Sequence, residues 1–442
     1  MKGVFTFLKK GPESIMLCVW VAVVALMPFF KPAVSIAMGG LVFLSLWRLF
    51  VRPQLLDIGS VGRPFHVVMG IYILFLLWLF ASVFWSTDAW EGWRKLTRLD
   101  ELLILPLIAF ASRDLLYKYR EILFRALVWG CTLAGVITLY FFFFPDRIPI
   151  GDDYYYLLKE LSESRDYAHF GAYSPFLDRL YFGYLTAAVL LGFALKAFFG
   201  EKLKMYGWTL LILLPLFYVL GARGAQLALL LALWILFTFW TYKFFSGSDG
   251  RLSRIRTLIF WIGNVVLCGS IFLVFLFTSD RFAQLKYELE GYRSHPEQFE
   301  QMVFHSSVLR WVSWEHNVKL IAQEPVFGVG IGDYHRAMEE SYLRENTDLP
   351  IHTNQQFLYF GVIAGIPAFL LFVIFFFFSA YLLVRHSDKK PLRMAALCWW
   401  SFMFVVMVLD SPLNYTMPAF LFLLIWFSLF FQLPDKRIST AD

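Results

Sequence analysis

Charge is scarce in this 442-residue chain: Asp, Glu, Lys and Arg together make up 16% of it, against about 25% in an ordinary soluble domain. So little charge excludes a disordered protein and a soluble globular enzyme. Cysteine is scarce too. Cys18, Cys131, Cys268 and Cys398 all lie inside apolar blocks, where none can clip an extramembrane loop. No Cys/His spacing resembles a zinc site, so neither a disulfide scaffold nor a metal centre is expected, and the four thiols read as small apolar packing groups. There is no Walker-type glycine loop, and no segment facing the cytoplasm is long enough to hold a nucleotide-binding domain, which argues against ATP-driven transport. No motif recurs between the two halves, which weakens a two-repeat transporter. The net charge of +6 comes from short basic clusters between apolar blocks, as membrane topology requires, and is no nucleic-acid footprint.

What the chain has in abundance is apolar surface: 59% hydrophobic residues and 20% aromatic ones. They fall in long blocks such as Thr257–Thr278 and Phe357–Val384, which read as membrane spans. The run Ser14–Phe30 follows Lys9 and Lys10, lacks a small-x-small cleavage site and leads directly into another span, so it reads as an uncleaved first helix. About twelve spans are expected, near residues 14–30, 33–47, 66–85, 101–112, 122–144, 178–198, 206–221, 224–244, 257–278, 356–384, 395–410 and 418–433. The fourth is too short to cross alone and is expected to borrow from the amphipathic stretch before it. With both termini in the cytoplasm, more than half of the 39 Lys and Arg residues fall on the inner side, as the positive-inside rule asks. The expectation is an all-α polytopic membrane protein in three parts: helices one to nine over 1–278 with an outer loop near 145–177, a large outer loop over 279–355, and the last three helices with a tail over 356–442.

The polar chemistry gathers on the outer side. Arg223 sits in a very short outward turn between Gly221 and Gly224. An arginine there serves either as an interfacial anchor or as a phosphate ligand, its guanidinium offering forked donors that never deprotonate. From Ser307 to Ala322 the pattern is helical, with Trp311, Trp314, Val318 and Ile321 on one face and Arg310, Ser313 and Asn317 on another. That helix is an interfacial amphipathic one, a carrier of a second cation, or both. The run Phe327-Gly328-Val329-Gly330-Ile331-Gly332-Asp333 lacks the spacing and context of a nucleotide loop and reads as a tight turn before a short helix. His352, just ahead of the span that contains Gly361 and Gly365, is structural or a proton acceptor near neutral pH.

Taken in order, four features resemble the superfamily of O-antigen ligases and O-antigen polymerases. They are the Arg223-Gly224 turn opening a span, the Arg310-x3-Trp314 helix, the Pro325-x-Phe327-Gly328-x-Gly330-x-Gly332 run, and His352 leading into Gln356-Phe357-Leu358-x6-Gly365. The resemblance covers most of the chain. It implies a GT-C-like, metal-independent glycosyltransferase of the bacterial inner membrane, with no cofactor and its active site on the periplasmic face. The donor it implies is a glycan on undecaprenyl diphosphate. The acceptor is lipid A–core in a ligase and another lipid-linked repeat unit in a polymerase. Carried over, Arg223 and Arg310 bind the diphosphate, His352 acts on the acceptor hydroxyl and Asn354 supports it. One register departs: counted back from Leu358 and Gly365, the family's histidine position falls on Asn354, and His352 lies two residues earlier. His305, His316 and Tyr334 are fallback candidates. The competing class is a transporter of lipid-linked oligosaccharide, which requires buried polar residues at mid-membrane; Asn264 is the exception to an otherwise apolar set of middle positions.

Overall fold

The computed structural model describes residues 12–29, 31–53, 63–144, 176–201, 206–245, 262–264, 266, 306–345 and 355–433. Among them there is no β-strand. The helices are α1 (Pro12–Leu26), α2 (Lys31–Val51), α3 (Arg63–Ala81), α4 (Ala89–Thr97), α5 (Asp100–Ala111), α6 (Arg113–Phe143), α7 (Arg179–Phe198), α8 (Gly207–Val219), α9 (Arg223–Phe245), α10 (Ser306–Gln323), α11 (Tyr334–Arg344), α12 (Gln356–His386), α13 (Lys390–Leu409) and α14 (Thr416–Phe430). Among the described residues, 6 helices are long and apolar enough to cross a membrane: Val34–Val51, Pro64–Ala81, Arg113–Phe143, Arg179–Phe198, Gln356–His386 and Lys390–Leu409. The outward faces are apolar as well. Phe50, Trp208 and Tyr218 are 87%, 79% and 82% exposed, which in water would be an aggregation liability and against acyl chains is the favoured arrangement. This is a multi-pass membrane protein.

Aromatic side chains fill the interior. Tyr72 and Phe75 of α3 meet Phe360, Phe372 and Phe375 of α12, and Trp426 of α14 closes the cluster against Tyr72 and Phe375. On the other side α9 packs along α13 and α7.

Two expectations gain detail. The fourth expected span, 101–112, is α5, and the amphipathic stretch before it is a separate helix, α4, divided from it by a turn at Arg98–Leu99, so it does not extend the apolar one. The Asp88 carboxylate starts α4 by accepting from Glu91 N–H at 2.9 Å, and the Arg98 N–H closes it on the Leu96 and Lys95 carbonyls. Arg48 lies in the last turn of α2 and is buried, donating to the Ala111 carbonyl at 2.7 Å and pairing with Asp114 and Glu13. Asn264 accepts from the Trp234 indole of α9 at 3.0 Å, so the exceptional polar residue of the ninth block ties two segments together rather than lining a path.

The glycine run is a clamp on a broken helix. In α12, Ala364 and Gly365 leave helical geometry, Gly365 with φ +76°. The carbonyls freed by the break need donors. Val329 N–H binds the Val362 carbonyl at 2.8 Å, Gly330 N–H the Ile363 carbonyl at 3.1 Å, and the Trp78 indole the Ala364 carbonyl at 2.8 Å. In return Ile366 N–H binds the Pro325 carbonyl at 2.7 Å. A side chain at Gly365 would collide with the Val326 carbonyl, and one at Gly328 (φ +67°) with the Val362 carbonyl. Gly365→Ala is therefore expected to destabilise the fold by about 3 kcal/mol. Thermal unfolding in detergent measures this, and an unchanged midpoint would contradict the clamp.

Candidate active site

Alternation of the spans brings the starts of α5, α7, α9, α12 and α14 and the ends of α3 and α13 to one end of the bundle. There the connection Asp410–Tyr415, with a short 3-10 turn over Pro412–Asn414, forms a hub between α13 and α14.

Arg223 and Arg310 stand on two elements that reach this hub. Gly221 takes φ +60° and bends the chain between α8 and α9, so that Arg223 opens α9 with its side chain exposed. The next residue, Gly224, runs so close to the end of α13 that a methyl group there would lie 3.7 Å from Leu409 Cδ1 and 4.0 Å from the Tyr184 hydroxyl. Arg310 reaches the same residue from α10: its Nε donates to the Leu409 carbonyl at 3.0 Å. That carbonyl is one of the last four of α13 and has no intrahelical partner, so a cation there is doubly favoured. One edge of the guanidinium is thereby fixed, which orients the other edge.

The sequence reading missed the acid at the centre. Asp410 caps α13, accepts from the Tyr184 hydroxyl at 2.9 Å and takes the Ser411 N–H at 2.8 Å. Burial pushes its carboxyl above the ordinary carboxylate range, while the Ser411 N–H, the Tyr184 hydroxyl and the Arg310 charge pull it partly back. The Arg310 charge also bears on Arg179, the first residue of α7, and Asp178 caps that helix through Leu180 N–H at 2.8 Å. Arg179 and Asp178 therefore share one electrostatic neighbourhood with Arg310 and Asp410 near the end of α13. The signal for Asp410 was available, since it is the sole acid between Asp388 and Asp435. Asp178–Arg179 was visible as a charged pair opening a span.

Gln356 joins the hub to the start of α12. It is fully buried, accepts from Leu413 N–H at 2.8 Å and donates to Asn414 Oδ1 at 3.4 Å. His352 and Asn354, just upstream of this anchor in sequence, lie outside the described residues, as do His305 and most of the expected outer loops near 145–177 and 279–355.

The remaining fallback candidates are packing groups. Tyr334 is fully buried and donates to Asn317 Oδ1 at 3.2 Å. His316 is buried between α10 and α11, with Nδ1 2.6 Å from Ser341 Oγ and Nε2 3.4 Å from Glu345. On α10 it is thus Ser313, His316 and Asn317 that face protein, while Trp311 and Val318 are 46% and 54% exposed. An exposed tryptophan face suits the headgroup level of a bilayer. Burial holds the His316 imidazole below its ordinary pKa. Its contribution to stability is therefore complete above about pH 6.5, the value of an unfolded histidine, and is lost as pH falls from there toward the lower folded value. Hydrogen exchange in α10 and α11, corrected for intrinsic rate, is expected to speed up on going from neutral to mildly acidic pH. His316→Gln is expected to flatten that response, and an unchanged response would contradict the assignment.

Against this geometry, a comparison with protein families adds a likeness. Residues 208–373 match the family model described as O-antigen ligase. That match supports the O-antigen ligase and polymerase superfamily. The matched stretch of the O-antigen ligase domain runs from α8 through α9, Arg223, Arg310 and the glycine clamp into α12. Asp410 and Arg179 lie outside it, and the fold brings both to it. Among curated proteins none matches the chain. The likeness points to ligase- or polymerase-type glycan transfer. Among the described residues no three His, Cys, Asp or Glu side chains gather to hold a metal ion, and the charge at the hub is carried by arginine.

Proposed function

We propose that this protein is an O-antigen ligase, moving glycan from undecaprenyl diphosphate to lipid A–core on the periplasmic face of the inner membrane. In this reading the frame has about twelve spans, is GT-C-like and has both termini in the cytoplasm. The observation that carries the reading is that Arg310 donates to the Leu409 carbonyl while α9, which Arg223 opens, runs against Leu409 at Gly224. Arginines on these elements, with Arg179 in the field of Arg310, supply the positive charge that a diphosphate leaving group needs.

The acceptor hydroxyl attacks the anomeric carbon from the face opposite the diphosphate. The new carbon–oxygen bond forms as the bond to the diphosphate oxygen breaks, and that electron pair ends on the diphosphate, between Arg223 and Arg310. The hydroxyl proton passes to a ring nitrogen of His352, oriented by Asn354. Direct displacement inverts the anomeric centre. Asp410 balances part of the Arg310 charge when the site is empty. The arginines do the work a divalent cation does elsewhere, so no cofactor enters.

Deleting the gene in the native bacterium tests this, with lipopolysaccharide and polyprenyl-linked glycans analysed side by side. Bare lipid A–core together with full-length polymer stranded on the carrier is the expected result. Core capped by one repeat unit would instead make the protein a polymerase. Unchanged profiles in a strain without a second superfamily member would overturn both.

A further inference from the structure

On the same end of the bundle lies a cavity of about 440 Å³ that the diphosphate chemistry does not use. It opens between the C-terminal end of α10, the helix α11 and the segment that links α3 to α4. Trp85 and Phe327 form an aromatic wall, their rings 5.2 Å apart and edge to face. The Trp85 indole N–H is spent on the Phe327 carbonyl at 2.8 Å, and Phe327 also stacks on Trp78 at 6.1 Å. The wall is therefore fixed while Phe327 stays 51% exposed. Gln323 and Glu324 line a second side, Arg336 and Glu340 a third.

The floor is rigid. Buried Asp333 accepts from Thr87 N–H at 2.6 Å and from the Thr87 hydroxyl at 2.7 Å, and pairs with Arg336 at 3.1 Å. Arg336 also approaches Glu340 at 3.8 Å. Acids and bases are interleaved here, so the cavity has no field of one sign to hold a phosphate. It offers planar donors and acceptors around an aromatic face in a pocket of small-molecule size. A ligand of alternating hydroxyls and C–H faces, a carbohydrate, satisfies both.

We infer that this cavity is a glycan subsite, holding sugar residues of the transferred chain away from the bond being made. The inference rests on the glycan-transfer reading for its ligand class. From Arg310 to Gln323 along α10 is about 20 Å, a span that a short oligosaccharide covers. The subsite thus grips a long donor glycan and leaves a donor with a single repeat unit untouched. The glycine clamp acquires a second task, since Phe327 sits on it and is aimed by it.

Two measurements test this. The first uses glycan freed from its carrier by mild acid and the full-length protein in detergent, read by saturation-transfer NMR. Wild type is expected to bind, and Phe327→Ala and Gln323→Ala are expected each to weaken binding about tenfold. Because this glycan has no diphosphate, the result is independent of the arginine chemistry. The second compares donors: the variants are expected to raise KM for long-chain donor with kcat unchanged, and to leave single-unit donor unaffected. Wild type that fails to bind, variants that bind as wild type, or an equal loss on both donors would overturn the subsite. Should the glycan bind while wild type transfers none of it to an acceptor, the transfer reading fails and the subsite stands. Gln323→Ala, a surface change, keeps the test decisive if Phe327→Ala does not fold.

Discussion

Replacing Arg310 with Ala is expected to lower glycan transfer by about 10²–10³-fold, the scale of removing one preorganised donor from a developing anion. The guanidinium is held by the Leu409 carbonyl at 3.0 Å, so it is positioned before substrate arrives and needs no reorganisation as charge builds on the leaving diphosphate. Arg310→Lys keeps the charge but not the fork, so it is expected to recover only part of the loss. Arg223→Ala is expected to fall in the same range, and the double variant to lose less than the product of the two, because both guanidiniums serve one anion. Initial rates of carrier release in proteoliposomes measure this, with expression and thermal midpoint as controls for folding. Independent, fully multiplicative losses would mean that the two arginines do not share a ligand.

The second large effect concerns the proton. His352→Ala is expected to reduce kcat by about 10²–10⁴-fold, the range for a lost general base, while Asn354→Ala costs less because it orients rather than accepts. Asp410→Asn separates the two acids of the site. Burial raises the Asp410 pKa, so it takes up a proton at a higher pH than an exposed carboxylate does. As pH falls through that value, the charge balance around Arg310 changes, and wild-type transfer is expected to decline. In Asp410→Asn the amide oxygen still accepts from Tyr184, but nothing titrates, so the acid limb due to Asp410 is expected to vanish while the limb due to His352 remains. A pH profile of kcat for wild type, His352→Ala and Asp410→Asn reads both. A single limb that survives both substitutions would place the base elsewhere.

The class of fold was legible because it rests on local quantities. Apolar blocks, basic clusters and the period of residues 307–322 each report on a few turns of chain, and among the described residues helices stand where those signals are long. The boundaries were legible where a cap or a break was local, as at the Gly221 turn. What was not legible depends on partners distant in sequence. Arg48 reads as a loop cation until Asp114 and Glu13 arrive beside it. Asp410 reads as the end of a span until α7 brings Tyr184. The glycine run reads as a turn, because nothing in its own sequence says that the carbonyls at 362–364 need donors.

The face of α10 was the subtlest case. Its aromatic stripe was visible, but periodicity cannot tell a stripe that packs on protein from one that meets lipid. Tertiary contacts put Ser313, His316 and Asn317 inward and Trp311 outward, and Arg310 consequently reaches the end of α13. Of the site residues read from sequence, Arg310 donates to the Leu409 carbonyl and Arg223 opens the helix that passes Leu409 at Gly224. The acid that completes their charge balance had to come from the fold.

The most direct measurement of the central claim is carrier release by the purified protein in proteoliposomes. Undecaprenyl-diphosphate-linked glycan is the donor, lipid A–core the acceptor, and a chelator is present throughout. The account predicts acceptor-dependent release of undecaprenyl diphosphate by wild type and release at background by the Arg223→Ala, Arg310→Ala double variant. Equal release by the double variant would contradict it.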